Sequence, residues 1–151
     1  MKQPVFTGTA VAIITPMHAD GSVNFEELGR IIDDQIASHT DAIVICGTTG
    51  ESAALNHDEH LECIRYAVNH TAHRVPVIAG TGSNDTAFAV ALSREAESAG
   101  ADALLLVTPY YNKTSQAGLV AHYTAIANAT ALPCIIYNVP SRTGVNLLPA
   151  T

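Results

Sequence analysis

The sequence is short of positive charge and of aromatic rings, and several signatures of common protein classes are missing. Lysine and arginine number 7 against 14 acidic residues, giving a formal net charge of -7 and a pI near 5.3. No basic cluster stands out, which argues against nucleic acid as a partner. Lysine occurs only at Lys2 and Lys113. The 3 cysteines, Cys46, Cys63 and Cys134, form no C-x-x-C pair, and an odd number argues against a disulfide framework. Cys46 and Cys134 sit in apolar runs, where cysteine serves as a small buried hydrophobe. The opening stretch MKQPVFTGTAVAIITP is too short for a membrane span. It also lacks the basic start and small-residue cleavage site of a signal peptide. No G-x-G-x-x-G follows the first apolar run, as it would in a doubly wound dinucleotide-binding fold. These absences leave a soluble, cytoplasmic protein as the expectation.

What is present is a globular chain of 151 residues, 48% apolar and 14% charged, long enough to bury a core. Nearly continuous apolar runs cover residues 8–14, 42–46, 75–79, 103–107 and 134–138. Such runs read as parallel strands covered on both faces. Amphipathic segments at 24–38, 56–72, 84–99 and 116–129 predict helices between them. Asn24 is a candidate N-cap for the first, an Asn-rich start opens the second and third, and Gly100 is a candidate C′ residue for the third. The strand starts recur at roughly the length of a βαβ unit, about 30 residues. Strand, helix, strand without a hairpin signal implies a parallel sheet with right-handed crossovers. The distinctive residues follow strands two, four and five, as in a barrel with its site at the C-terminal strand ends. The expected architecture is a single domain over residues 1–151: an incomplete (β/α)8 TIM barrel, its N-terminal portion, with four βα units plus strand five. Residues 146–151, NLLPAT, read as the N-cap and first turn of a further helix. Five strands do not close such a barrel, so the expectation is a piece of a longer protein, or sheet edges covered by another copy or another chain.

Three loops carry candidate chemistry. GTTGES at 47–52 combines glycines that allow a tight turn with hydroxyls and amides that can converge on a carboxylate. TPYYNK at 108–113 places two tyrosines side by side at a strand end, which suits an interface or proton transfer. YNVPSRTG at 137–144 offers Tyr137 at the barrel mouth and Arg142 as a bidentate partner for a carboxylate. Each also has a plainer role, as a Gly/Thr connector, rim packing and a surface arginine in a turn. His57 and His60 share a helix face, but HDEH is not H-E-x-x-H and no third ligand is near, so no metal is expected.

Taken together, GTTGES, TPYYNK and YNVPSRTG, with FTG at 6–8 and PVIAGTG at 76–82, resemble dihydrodipicolinate synthase in order and spacing across essentially the whole chain. The resemblance implies a pyruvate-dependent lyase of the class I aldolase type, needing no cofactor. Its substrates would be pyruvate, held as a Schiff base on a barrel lysine, and L-aspartate 4-semialdehyde. Its pathway would be lysine and diaminopimelate biosynthesis. Thr48, Tyr111 and Tyr137 match the family's proton-relay triad, with Tyr111 acting in a neighbouring subunit of a homo-oligomer. Thr49 matches a pyruvate-carboxylate contact, and Arg142 the residue that receives the semialdehyde carboxylate. Ser52, Ala53, His57, His60, Asn84 and Tyr110 match a lysine-binding allosteric site, but Phe88 stands where that site has an acid. Loss of that carboxylate removes a charge-assisted bond to the ligand's ammonium.

The Schiff-base lysine of the family lies on strand six, past Thr151. Lys2 is expected at a frayed terminus and Lys113 in a hydrated loop, whereas an imine-forming lysine needs desolvation or a nearby charge. The chain is therefore expected to be inactive alone. Two other readings are a relative of N-acetylneuraminate lyase with a different acceptor aldehyde and a non-catalytic half-barrel that assembles with a longer partner. Arg142 favours the semialdehyde over the former.

Overall fold

A strand with apolar residues at nearly every position has no polar face to give to water, so it must be covered on both sides. In the computed structural model, which describes residues 4–151, five such strands form one parallel sheet. They are β1 (Ala10–Ala12), β2 (Ala42–Ile45), β3 (Val77–Gly80), β4 (Ala103–Val107) and β5 (Cys134–Tyr137), in the spatial order β1-β2-β3-β4-β5. Helices α1 (Phe25–Ala37), α2 (His57–Thr71), α3 (Thr86–Ser98) and α4 (Gln116–Ala127) form the crossovers. This is the expected half-barrel of four βα units and a fifth strand. Every residue of β2 and β3 is buried, while the edge strands β1 and β5 are partly exposed.

The helix starts follow from capping chemistry. Asn24 Oδ1 accepts from the Glu27 amide at 3.0 Å, as expected. Asn56 and Glu59 form a reciprocal capping box at the start of α2. At α3 the cap is Asp85 rather than Asn84, with Asp85 Oδ1 accepting from the Ala87 and Phe88 amides. Gly100 takes the left-handed C′ position after α3 at φ +92°.

β4 matches its apolar run, β2 and β5 each stop one residue short, and β1 and β3 start two residues late. At β1 the Thr9 amide goes to the Asp41 carboxylate at 2.7 Å, and Gly8 has φ +114°. At β3, Pro76 has no amide to give, and the Val77 amide goes to Asp102 Oδ2 at 2.8 Å. Residues 140–143, read as part of a turn, make one helical turn, α5 (Pro140–Thr143), with proline at its start and Gly144 at φ +73° behind it. Residues 146–151 hold a turn, with Thr151 N donating to Leu148 O and Gln116 Oε1 accepting from the Leu148 amide.

The core has two parts. Leu28, Ile32, Ile64, Leu92, Leu104 and Ile126 belong to the large cluster between helices and sheet, all at 0% exposure. On the other face, Ala42, Val44, Ile78 and Ala103 form a smaller cluster with Val5, Phe6, Leu105 and Ile135 packed on it. Among the described residues no helix is long and apolar enough to cross a membrane.

Candidate active site

The three marked loops meet at the C-terminal ends of the strands. After β2 the backbone turns through Cys46 at φ +55°, and Gly50 N donates to Gly47 O at 3.0 Å. The Thr15 hydroxyl donates to Gly50 O at 2.7 Å and pins this turn to the segment after β1. A 3-10 turn, Ser52–Ala54, then leads into α2. After β4, Thr108 is fully buried, whereas Tyr111 is 90% exposed at φ +69°. The Tyr111 amide donates to Thr143 O at 3.3 Å, which joins the loop after β4 to the one after β5.

A cleft of about 700 Å³ opens between these loops, lined by Thr48, Ser52, Tyr110, Tyr111, Lys113 and Arg142 among others. A small adjoining space of about 20 Å³ lies between Thr48 and Tyr137, with Gly80 and Leu105 beside it. Thr48 is thus common to both, lining the larger with Tyr111 and the smaller with Tyr137. Two cations and several hydroxyls on one cleft suit an anionic substrate and proton transfer. Thr49 is exposed and lines neither space. Glu51, at φ +53°, also lines the cleft and had drawn no attention in the sequence, although it belongs to the GTTGES motif. Lys113 is an exposed loop residue, without the desolvating pocket an imine-forming lysine needs. Lys2 lies outside the described residues. Cys46, next to the loop, is not poised as a nucleophile: the Cys63 thiol and burial push its own thiol well above the usual range.

The six residues matched to an allosteric site do not share one cavity in this chain. Ser52, Ala53 and Tyr110 line the main cleft, and Asn84 lines a second of about 310 Å³. His57 lies 3.1 Å from Glu95 and edge-on to Phe88, with ring centroids 5.7 Å apart. Glu95 went unnoticed in the sequence because nothing local marks it as the partner of His57. His60 is interior, 4% exposed, and its Nε2 donates to Gly80 O at 2.8 Å. A carbonyl can only accept, so the bond fixes the proton on Nε2. Among the described residues no group of three His, Cys, Asp or Glu could hold a metal ion.

Burial lowers the His60 pKa against the opposing pull of the Gly80 carbonyl, and His57 adds to the lowering. Burial also lowers His122, whose Nδ1 is 2.8 Å from the Thr86 hydroxyl. Both rings titrate near 6.5 in the unfolded chain. Below that pH the unfolded state binds more protons than the folded one, so stability falls as pH falls, until the lowered folded values are passed. The urea midpoint is expected to be flat above about pH 7 and to drop between about pH 6.5 and 5. The variant H122N should flatten that drop, and an unchanged slope would count against the assignment.

A parallel half-barrel with a cleft at its C-terminal strand ends places the fold in the (β/α)8 class. The chain belongs to the dihydrodipicolinate synthetase family, whose model matches residues 5–151. It is 62% identical over 147 residues to the 4-hydroxy-tetrahydrodipicolinate synthase of Lachnoclostridium phytofermentans, covering 97% of this chain and 50% of that protein. The solved dihydrodipicolinate synthase of Thermotoga maritima superposes with a TM-score of 0.93 at 40% identity, covering 97% of this chain and 50% of that one. The enzyme of Acinetobacter baumannii, solved in complex with pyruvate, superposes at 0.91 and 50% identity, covering 93% and 48%. The chain spans about half the length of the curated relatives it matches.

Proposed function

We propose that this chain is the substrate-clamping and proton-relaying half of a lyase that condenses pyruvate with L-aspartate 4-semialdehyde. The carrying observation is that Thr48 and Arg142 line one cleft at the strand ends, while Thr48 and Tyr137 line the small space beside it. In this reading Thr48 passes a proton between its own Tyr137 and the Tyr111 of a second copy, Arg142 takes the semialdehyde carboxylate, and Thr49 with the loop amides takes that of pyruvate. A phenol of ordinary pKa near 10 relays protons only when its partners pre-align it. The exposure of Tyr111 supports its action in the site of a second copy, within a cytoplasmic homo-oligomer. Phe88 at the allosteric position supports insensitivity to lysine.

The test is imine trapping. Treated with pyruvate and borohydride, the 15.8 kDa chain alone is expected to keep its mass, because neither of its lysines is expected to form an imine. Co-expressed with the other half of the Lachnoclostridium phytofermentans synthase, it should assemble, and the adduct should appear on that partner half. An adduct on Lys113, or an assembled complex that traps no imine, would sink the reading. In the assembled enzyme, R142M should raise the KM for the semialdehyde by about ten- to a hundredfold, the range for one lost hydrogen bond to a charged group.

A further inference from the structure

The geometry points to Thr143 as a positioning residue that sets Tyr111 and Arg142 relative to each other. Thr143 directly follows Arg142 and closes the single turn of α5. It is 4% exposed, and its hydroxyl faces Thr108, which is fully buried at the end of β4. Thr108 Oγ1 donates to Thr143 Oγ1 at 3.1 Å. The same oxygen accepts from the Val145 amide at 3.3 Å. Its own proton goes to a carbonyl, with Val145 O at 3.0 Å and Val139 O at 3.2 Å within reach. One hydroxyl thus ties the start of the tyrosine loop to the end of the arginine turn, with its hydrogen-bonding capacity used in full, while the Thr143 amide donates to Val139 O at the turn's start at 3.1 Å.

The backbone of Thr143 makes the second tie. Its carbonyl accepts from the amide of Tyr111. Tyr111 sits at φ +69°, a conformation a non-glycine residue keeps only where its surroundings hold it. Its ring, 90% exposed, has little packing to supply that hold. Asn112 anchors the same loop elsewhere, its amide donating to Tyr110 O at 2.9 Å and its side chain to Asn84 O at 3.4 Å, so the bond to Thr143, itself fixed by Thr108, is the tie between Tyr111 and the arginine turn. A shift of α5 carries Arg142 and Tyr111 together. The inference rests on the reading of Tyr111 as relay and Arg142 as carboxylate clamp, but the coupling itself is a property of the chain and can be measured without turnover.

The experiment is amide hydrogen exchange, followed by NMR, on the chain and its T143V, T143S and T108V variants. T143V keeps the shape and removes the hydroxyl, whereas T143S restores it. In T143V the Tyr111 amide is expected to exchange about tenfold faster, the order expected for one lost hydrogen bond, together with the amides of residues 142–145. Amides of α2 should not change, and T143S should stay within about twofold of the parent chain. T108V, which deletes only the bond between the two hydroxyls, should accelerate the Tyr111 amide in the same direction but by less, and leave residues 142–145 nearer the parent chain. Acceleration confined to residues 139–145 with Tyr111 unchanged would overturn the coupling, as would equal acceleration in α2 or a failure of serine to rescue. Intact coupling in an assembled enzyme that traps no imine would instead leave the coupling standing and remove the functional reading.

Discussion

Replacing Gly80 by alanine is expected to lower the unfolding free energy by about 3 kcal/mol, near the upper end for overpacking a close-packed site. An alanine Cβ at this position would lie 2.1 Å from the carbonyl oxygen of Cys46, 2.7 Å from its carbon and 3.1 Å from Gly47 N. All three are backbone atoms, so no side chain can swing away. Relief requires β2 and β3 to part at their C-terminal ends, where the GTTGES loop begins. Parting would also pull Gly80 O from His60 Nε2, leaving a buried ring nitrogen without a partner. Gly47 is the natural control. A Cβ there meets nothing closer than 3.6 Å, an ordinary contact, and G47A should shift stability by less than about 1 kcal/mol. Urea titrations followed by circular dichroism would compare the two. Similar midpoints for G80A and the parent would show that the strand ends yield more easily than a backbone-to-backbone clash allows.

Much of this fold was legible because its signals are local. Residues 103–107 are apolar throughout, and β4 covers the same span. Asn24 caps α1 and Gly100 follows α3 because each acts on amides or carbonyls within one turn of itself. The misplaced ends have distant causes. Asp41 draws the Thr9 amide from 32 residues away, and Asp102 draws the Val77 amide from 25. Neither pairing has a pattern to find in a single sequence. Asn84 and Asp85 are both good caps, and their order alone does not say which will be used.

The candidate site divides the same way. GTTGES and YNVPSRTG announced themselves by composition, and the barrel topology brings them to one rim. Why Gly80 must be glycine depends on the register of β2 against β3, with Ile45 opposite Ala79. In the sequence His60 shares a helix face with His57, and the sheet takes it inward, where its ring meets Gly80 O. Thr143 stood in plain view within a marked motif. Its partner Thr108 is 35 residues away, so its role became visible only once the two strand ends were adjacent.

Leu104 and Leu105 pose the sharper question of what covers the inner face of the sheet. Successive residues of a strand point to opposite faces. Leu104 and Leu106 face the helices, at 0% and 1% exposure, while Leu105 packs on the smaller cluster and is only half-buried. In the isolated chain, L104A is expected to cost about 2–5 kcal/mol, the range for a leucine removed from a closed core. That is a large share of the roughly 5–15 kcal/mol that holds a domain folded. L105A removes the same atoms from a half-covered site, where less area leaves water and any cavity opens to solvent, and should cost about 1 kcal/mol. The gap between the two variants measures the openness of the half-barrel. Pairing with a second copy, or with the other half of a barrel, would bury Leu105 and bring its cost toward that of Leu104. Such pairing would also make the midpoint depend on protein concentration. A full-sized L105A effect at every concentration would mean that the inner face is closed within a single chain, and the half-barrel would then be self-sufficient.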